Sequence, residues 1–232
     1  MNDSARKLIV KGAILAGGQS RRMGGLPKGT LRCDGGLPLA ARLLAEATGS
    51  GVEEMVIVAN EPRAYAHVLC RIIPDRRINM GPVVGIEAAL HYFGGKCDAV
   101  LILPCDLPEI ASNEITTLLR AFENTGAPVV FAETTDGRKH PLCAVVSIGL
   151  RADISAALDS GWLCAGRLWA QLGGIGIVFD KVDAFTNLNS PTDVDTWRMN
   201  KRKIAPPPRV IRPQRQYRAT ISSDMSRQRR SI

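Results

Sequence analysis

The chain has 232 residues, 45% of them hydrophobic and 22% charged, with a net charge of +8. That composition belongs to a globular protein with a substantial core, and apolar runs such as residues 99–103 fall far short of the about 20 residues a membrane helix needs. Residues 1–11 lack the apolar segment and small-residue cleavage site of a signal peptide, so the expectation is neither a membrane nor a secreted protein.

Apolar β-branched runs alternate with helical patterns along the chain. Residues 9–15 read as a strand, followed by a long Gly/Arg loop to Gly29. Residues 38–47 read as a helix and 55–59 as a second strand, closed by Asn60-Glu-Pro. A short helix over 63–69 and a short strand over 71–73 follow, then a helix over 83–93. Residues 99–103 are the clearest strand, ended by Pro104. A helix over 113–122 takes Ser112 or Asn113 as its N-cap. Residues 128–132 and 142–146 read as strands, 154–158 and 163–172 as helices, and 175–179 as the last strand. From residue 198 onward the composition changes: eleven Lys or Arg, one acid, four prolines and few apolar residues. Residues 1–197 hold 19 basic and 21 acidic residues, so the basicity belongs to the last segment. That segment buries too little to offset its ordering entropy and reads as disordered, either a solvated tail or an arm for an acidic partner.

The cysteines, Cys33, Cys70, Cys97, Cys105, Cys143 and Cys164, show no C-x-x-C pair, and no histidine sits at zinc-finger spacing. Cys70, Cys105 and Cys143 read as small buried hydrophobes, and a reducing cytoplasm is the expected compartment. His67 and His91 read as structural or surface residues. His140 reads as a packing residue or an acceptor contact, and Trp162, Trp169 and Trp197 as packing residues.

Strands apolar on both faces, joined by helices, specify an α/β fold: a doubly wound, mostly parallel sheet covered on both sides. Ligands on such sheets bind beyond the carboxyl ends of the strands, which is where the unusual residues of this chain fall. After the first strand comes Leu15-Ala-Gly-Gly-Gln-Ser-Arg-Arg-Met-Gly-Gly-Leu-Pro-Lys28. Glycines let a backbone approach a ligand closely, successive N–H groups make an anion nest, and Arg22 and Lys28 can neutralise phosphate oxygens. The loop is neither a Walker A motif nor G-x-G-x-x-G. After the strand at 99–103, Asp106 lies between Pro104 and Pro108. A strand-end carboxylate facing a phosphate loop suits Mg²⁺, which takes one or two carboxylates plus substrate phosphates; such an acid also begins turns.

These two segments resemble the nucleotidyltransferases, and among them the molybdenum cofactor guanylyltransferases, the MobA-like group. Further matches are Val58-Ala59-Asn60, Pro74-Asp75, Gly81-Pro82-x-x-Gly85-Ile86, His140-Pro141 and Asn187-Leu188-Asn189-Ser190-Pro191-Thr192-Asp193. The resemblance covers about residues 10–197. It implies a nucleotidyltransferase domain over 1–197, a three-layer sandwich with a Rossmann-like nucleotide half, and a separate basic tail over 198–232. It also implies Mg²⁺ and transfer of GMP from GTP to the terminal phosphate of molybdopterin with release of pyrophosphate. Leu15, Ala16, Gly17 and Gly18 would meet the nucleotide, Lys28 and Arg22 its phosphates, Asn60 and Asp75 the nucleoside, and Asp106 the metal. Asn187 and Asn189 would lie near the acceptor or the second metal face. Downstream molybdoenzymes or their chaperones would receive the product, with no membrane partner and no nucleic-acid module.

One departure keeps alternatives open. The family loop usually ends Gly-Gly-x-Asp-Lys; here Gly24-Gly25-Leu26-Pro27-Lys28 has lost the carboxylate. A CTP-dependent or sugar-1-phosphate transferase, or a non-catalytic nucleotide-binding relative, therefore stands beside the guanylyltransferase. Leu15-Ala-Gly-Gly18 favours the guanylyl group, because cytidylyl relatives usually show Leu-Ala-Ala-Gly.

Overall fold

Val10–Leu15 (β1) and Ala99–Pro104 (β4) carry apolar side chains on both faces of the pleat, so each must be covered from two sides. The computed structural model describes residues 7–17, 27–32, 36–77 and 80–204, and within them β1 and β4 lie side by side at the middle of a seven-stranded sheet. The other strands are Met55–Val58 (β2), Arg71–Ile73 (β3), Val129–Thr134 (β5), Lys139–Ser147 (β6) and Ile175–Phe179 (β7). Their order is β3-β2-β1-β4-β6-β5-β7. All pairings are parallel except those of β6, which runs antiparallel to both β4 and β5. The sheet is thus α/β, doubly wound and mostly parallel, as expected from its strands.

The helices are Leu39–Gly49 (α1), Val83–Phe93 (α2), Ser112–Thr125 (α3), Arg151–Asp159 (α4), Ala165–Gln171 (α5) and Pro191–Ile204 (α6). Strand order reverses between β1 and β4, and with right-handed crossovers that reversal puts successive helices on opposite faces. One face packs α1, α3 and α6 on Ile14, Leu101 and Leu103; the other packs α2, α4 and α5 on Ala13, Val100 and Ile102. Odd and even strand residues therefore feed two separate cores, making three layers.

Several elements differ from the sequence reading. The expected helix over 63–69 is a single 3-10 turn, Pro62–Tyr65; only Tyr65 and Val68 are buried there, and Leu69 is fully exposed. Helix α3 begins one residue early, with Ala111 as N-cap, whose N–H donates to the Glu114 carboxylate at 3.0 Å. Ser112 is not the cap: its N–H and hydroxyl donate to Glu46 Oε2 on α1, at 2.8 and 2.7 Å. Strands β5 and β6 reach farther toward their shared turn than the apolar runs indicated, because the ladder continues through polar Glu133 and Lys139. Trp169 is fully buried, whereas Trp162 is 37% exposed and packs no core.

The boundary expected between 197 and 198 falls inside α6. The helix starts on a capping box, with the Ser190 hydroxyl accepting from Asp193 N–H and the Asp193 carboxylate accepting from Ser190 N–H. It runs past the change in composition because Val194 and Trp197 pack on the core and Lys201 pairs with Glu109. Residues 205–232, the rest of the expected tail, lie outside the described residues.

Candidate active site

The switch point brings the carboxyl ends of β1 and β4 together, with Leu15 opposite Pro104 in the ladder. Chain leaving β1 and chain leaving β4 must therefore share one crevice. Ala16 N–H donates to Val58 O and Cys105 N–H to Leu15 O, which ties both exits to neighbouring strands. Asp106 follows Cys105 and is buried.

Lys28 lies on a 3-10 turn over Lys28–Thr30. Pro27 sits at φ −62°, ψ 118°, and its carbonyl accepts from both Thr30 N–H and Thr30 Oγ1, at 3.0 and 2.8 Å. Gly29 lies against the buried Tyr65 ring, where a Cβ would approach within 2.8 Å of a ring carbon. The turn that carries Lys28 is thereby seated on the Pro62–Tyr65 turn.

Lys28 Nζ donates to Asp106 Oδ2 at 2.9 Å and to Asn189 Oδ1 at 2.7 Å. Asn187 Nδ2 donates to the other Asp106 oxygen at 2.7 Å, and Leu188 N–H donates to Asp106 O. The sequence placed Asn187 and Asn189 near an acceptor or second metal face. The structure sets them directly on the Lys28–Asp106 pair, delivered by the segment that caps α6.

A second group lies at the ends of β2 and β3. Asp75 N–H donates to Asn60 Oδ1 at 3.0 Å, and Asn60 Nδ2 donates back to Asp75 Oδ2 at 2.8 Å. Burial pushes the Asp75 carboxyl above its ordinary range, against the pull of the Asn60 hydrogen bond. Its carboxylate rests on two glycines: a Cβ on Gly17 would come within 3.1 Å of Oδ2, and one on Gly85 within 3.5 Å of Oδ1. Here glycine serves close approach, not turn geometry. Gly17 thus lies against Asp75, Ala16 is tied to β2 through its N–H, and Leu15 is buried in the core against Gly85. Gly18 and Arg22 lie outside the described residues, as does the remainder of residues 18–26.

Beside Asn187 opens a groove of about 410 Å³ lined by Arg138, Lys139, His140, Phe185, Asn187 and Asn189. Sequence reading missed its basic rim, since Arg138 and Lys139 look like an ordinary solvated hairpin tip. The His140 ring tilts on Phe185 with centroids 5.1 Å apart, and its Nε2 meets Thr134 Oγ1 at 3.1 Å. Burial holds this imidazole below its ordinary range. His67 is exposed and His91 bonds Ser155, both away from this groove.

Asp106 presents hard oxygen donors, which suits a divalent cation. Among the described residues no group of three His, Cys, Asp or Glu could hold a metal alone, so the remaining ligands would come from a bound phosphate chain. The arrangement can therefore neutralise a polyphosphate with one lysine and one carboxylate-held cation, next to a second basic groove.

Comparison with known proteins identifies the family of this fold. Residues 12–172 match the MobA-like NTP transferase domain. Molybdenum cofactor guanylyltransferase from Cereibacter sphaeroides is 33% identical over 196 residues, covering 84% of this chain and 98% of that protein. The Burkholderia vietnamiensis guanylyltransferase is 31% identical over 191 residues, covering 78% and 91%. The structure of molybdopterin-guanine dinucleotide biosynthesis protein A from Archaeoglobus fulgidus superposes with a TM-score of 0.68 at 22% identity, covering 83% of this chain and 99% of that one. CMP:2-keto-3-deoxy-manno-octonic acid synthetase complexed with CTP shares the fold at a TM-score of 0.66 and 15% identity, covering 84% and 99%. Fold and domain together define a nucleotidyltransferase. The chain belongs to the MobA-like NTP transferase family.

Proposed function

We propose that the protein transfers GMP from GTP to the terminal phosphate of molybdopterin, forming the guanine dinucleotide cofactor and releasing pyrophosphate. The observation that carries this reading is the convergence of Lys28, Asp106, Asn187 and Asn189 at the switch point, in a chain whose relatives are named molybdenum cofactor guanylyltransferases. Asn60 and Asp75 hold the nucleoside, and the Leu15–Gly17 backbone lies along it. Lys28 meets the phosphates, with Arg22 and Gly18 of the glycine loop expected beside it. The basic groove by Asn187 receives the phosphate-bearing acceptor.

The chemistry needs no activated side-chain nucleophile, because the acceptor phosphate is already anionic. An acceptor oxygen bonds to the α-phosphorus, the bond from that phosphorus to the bridging oxygen breaks, and pyrophosphate leaves with the charge. What the protein supplies is alignment and charge stabilisation. Lys28 neutralises phosphate oxygens, and Asn189 and Asp106 fix the direction of its ammonium. Asp106 would hold Mg²⁺, which supplies further neutralisation of the phosphates when bound. Asn187 keeps the Asp106 carboxylate turned into the crevice.

We place the enzyme in the cytoplasm. Among the described residues five cysteines are free, no helix is long and apolar enough to cross a membrane, and molybdoenzymes or their chaperones would take the product. The test is incubation with each of the four NTPs, Mg²⁺ and molybdenum-loaded molybdopterin. The guanine dinucleotide should form with GTP and pyrophosphate should appear in equal amount. Formation of the cytosine dinucleotide alone would move the enzyme to the CTP-dependent group, and binding of GTP without product would mark a non-catalytic relative.

A further inference from the structure

We propose that Arg77 is a positioning residue: it fastens the Asp75 turn to helices α2 and α4 and so sets the affinity for the nucleoside. This rests on the reading of Asp75 and Asn60 as the nucleoside contact. Strand β3 is only three residues long and lies at the sheet edge, so it gives little hold on the connection that follows it. Among the described residues of that connection, Asp75 and Arg77 are the two whose side chains hydrogen-bond outside it.

Arg77 Nε and Nη2 donate to Glu87 Oε2 and Oε1, each at 3.0 Å, in a two-pronged pair. Its Nη1 donates to Asp159 Oδ1 at 2.6 Å, and Nη2 reaches Ser155 O at 3.3 Å. All three guanidinium nitrogens are engaged, which makes Arg77 a strut and not a ligand for the nucleotide. Glu87 is 2% exposed, where a carboxylate is costly unless paired; the Ser155 hydroxyl adds a further bond at 2.8 Å. A bridge between α2 and α4 alone could be built from residues of those helices. Here one end comes instead from the chain two residues beyond Asp75. The same α2 carries Gly85, the glycine under the Asp75 carboxylate. The strut therefore fixes the turn against the helix that forms its floor, while Asn60 fixes it from the β2 side.

The variant that isolates this role is Arg77→Met with Glu87→Met in the full chain. Removing both charges leaves no uncompensated buried carboxylate, whereas Arg77→Met alone would. The double variant should melt within a few degrees of wild type and keep kcat at saturating GTP within about twofold. Its KM for GTP should rise about tenfold. Arg77→Lys should fall between, because one ammonium cannot reproduce the two-pronged pair. Asp75→Ala, measured alongside, should raise the same KM. A folded double variant with wild-type KM for GTP, beside an impaired Asp75→Ala, overturns the strut and leaves the nucleoside site standing. An unchanged KM in Asp75→Ala overturns the nucleoside site, and the strut's role with it.

Discussion

Both oxygens of Asp106 are engaged, one by Lys28 and one by Asn187, and the residue sits at the end of a strand buried along its whole length. Asp106→Asn preserves size and keeps one acceptor for Lys28 but removes the negative charge that pairs with the lysine and that we propose holds a divalent cation. Turnover at saturating GTP and Mg²⁺ should fall about 100-fold or more, with a melting temperature within a few degrees of wild type. Turnover near normal in a folded protein would remove Asp106 from the metal site. Asp106, Asn60 and Asp75 stood out in the sequence because each follows a strand, and strand ends in a doubly wound sheet face the ligand; Lys28 stood out for another reason, as the cation that ends the glycine-rich loop. Arg77 was not legible. It follows another arginine, Arg76, and only the packing of α4 against α2 distinguishes the two. Asn187 and Asn189 were visible as a motif, but the bond of Asn187 to Asp106 and that of Asn189 to a lysine more than 150 positions earlier are properties of the closed fold.

At the scale of elements, apolar strands announced themselves and polar or capped ones did not. The β5–β6 hairpin continues into Glu133 and Lys139, where hydropathy carries no signal. The loop that carries Lys28 shows how a sequence departure can fit its backbone. Pro27 sits at φ −62°, near the value a proline ring imposes, and it needs no N–H because its carbonyl, not its amide, organises the turn. Pro27→Asp should therefore change the rate of GMP transfer by less than about tenfold. A gain of about a hundredfold would show that the usual aspartate takes part in catalysis. Glu46 makes a similar tie between α1 and α3. Burial raises its carboxyl, but the Ser112 hydrogen bonds and Arg42 outweigh this, and the net shift is below the ordinary value of 4.5. A carboxylate depressed in the folded state stabilises it above the unfolded pKa and loses that contribution as pH falls through the folded value. The stability gap between wild type and Glu46→Gln, measured by urea unfolding, should be widest near pH 7 and narrow progressively as pH falls below the ordinary carboxylate range. A gap independent of pH would assign the tie to packing and not to charge.

Across the whole molecule, the net charge of +8 describes two unlike parts, and composition placed their border at residue 198. Packing draws the border later. Helix α6 spans Pro191–Ile204, and its second half carries Lys201, whose Nζ meets Glu109 Oε2 at 2.6 Å; the indole N–H of Trp197 donates to the same carboxylate. Glu109 lies on the chain that leaves Asp106, so α6 braces the loop behind the proposed active-site crevice while its capped start delivers Asn187 and Asn189 to the front. Basic side chains misled here because a lysine on the last turns of a helix can hold a carboxylate and still count as a charge run in composition. Two truncations separate these parts. Removing residues 205–232 should leave kcat unchanged and the melting temperature within about 2 °C. Removing 198–232 also strips the second half of α6. The Lys201 pair is partly exposed (side chains 38% and 23%) and is worth only about 0.5–1 kcal/mol. With the shortened helix the loss should reach roughly 1–2 kcal/mol, about 2–8 °C in a domain of this size. Turnover should fall with it, because the Asp106 loop loses a brace. Equal melting temperatures for the two truncations would show that α6 beyond Trp197 carries no load. A loss of turnover on removing 205–232 alone would instead give the basic segment a part in the reaction.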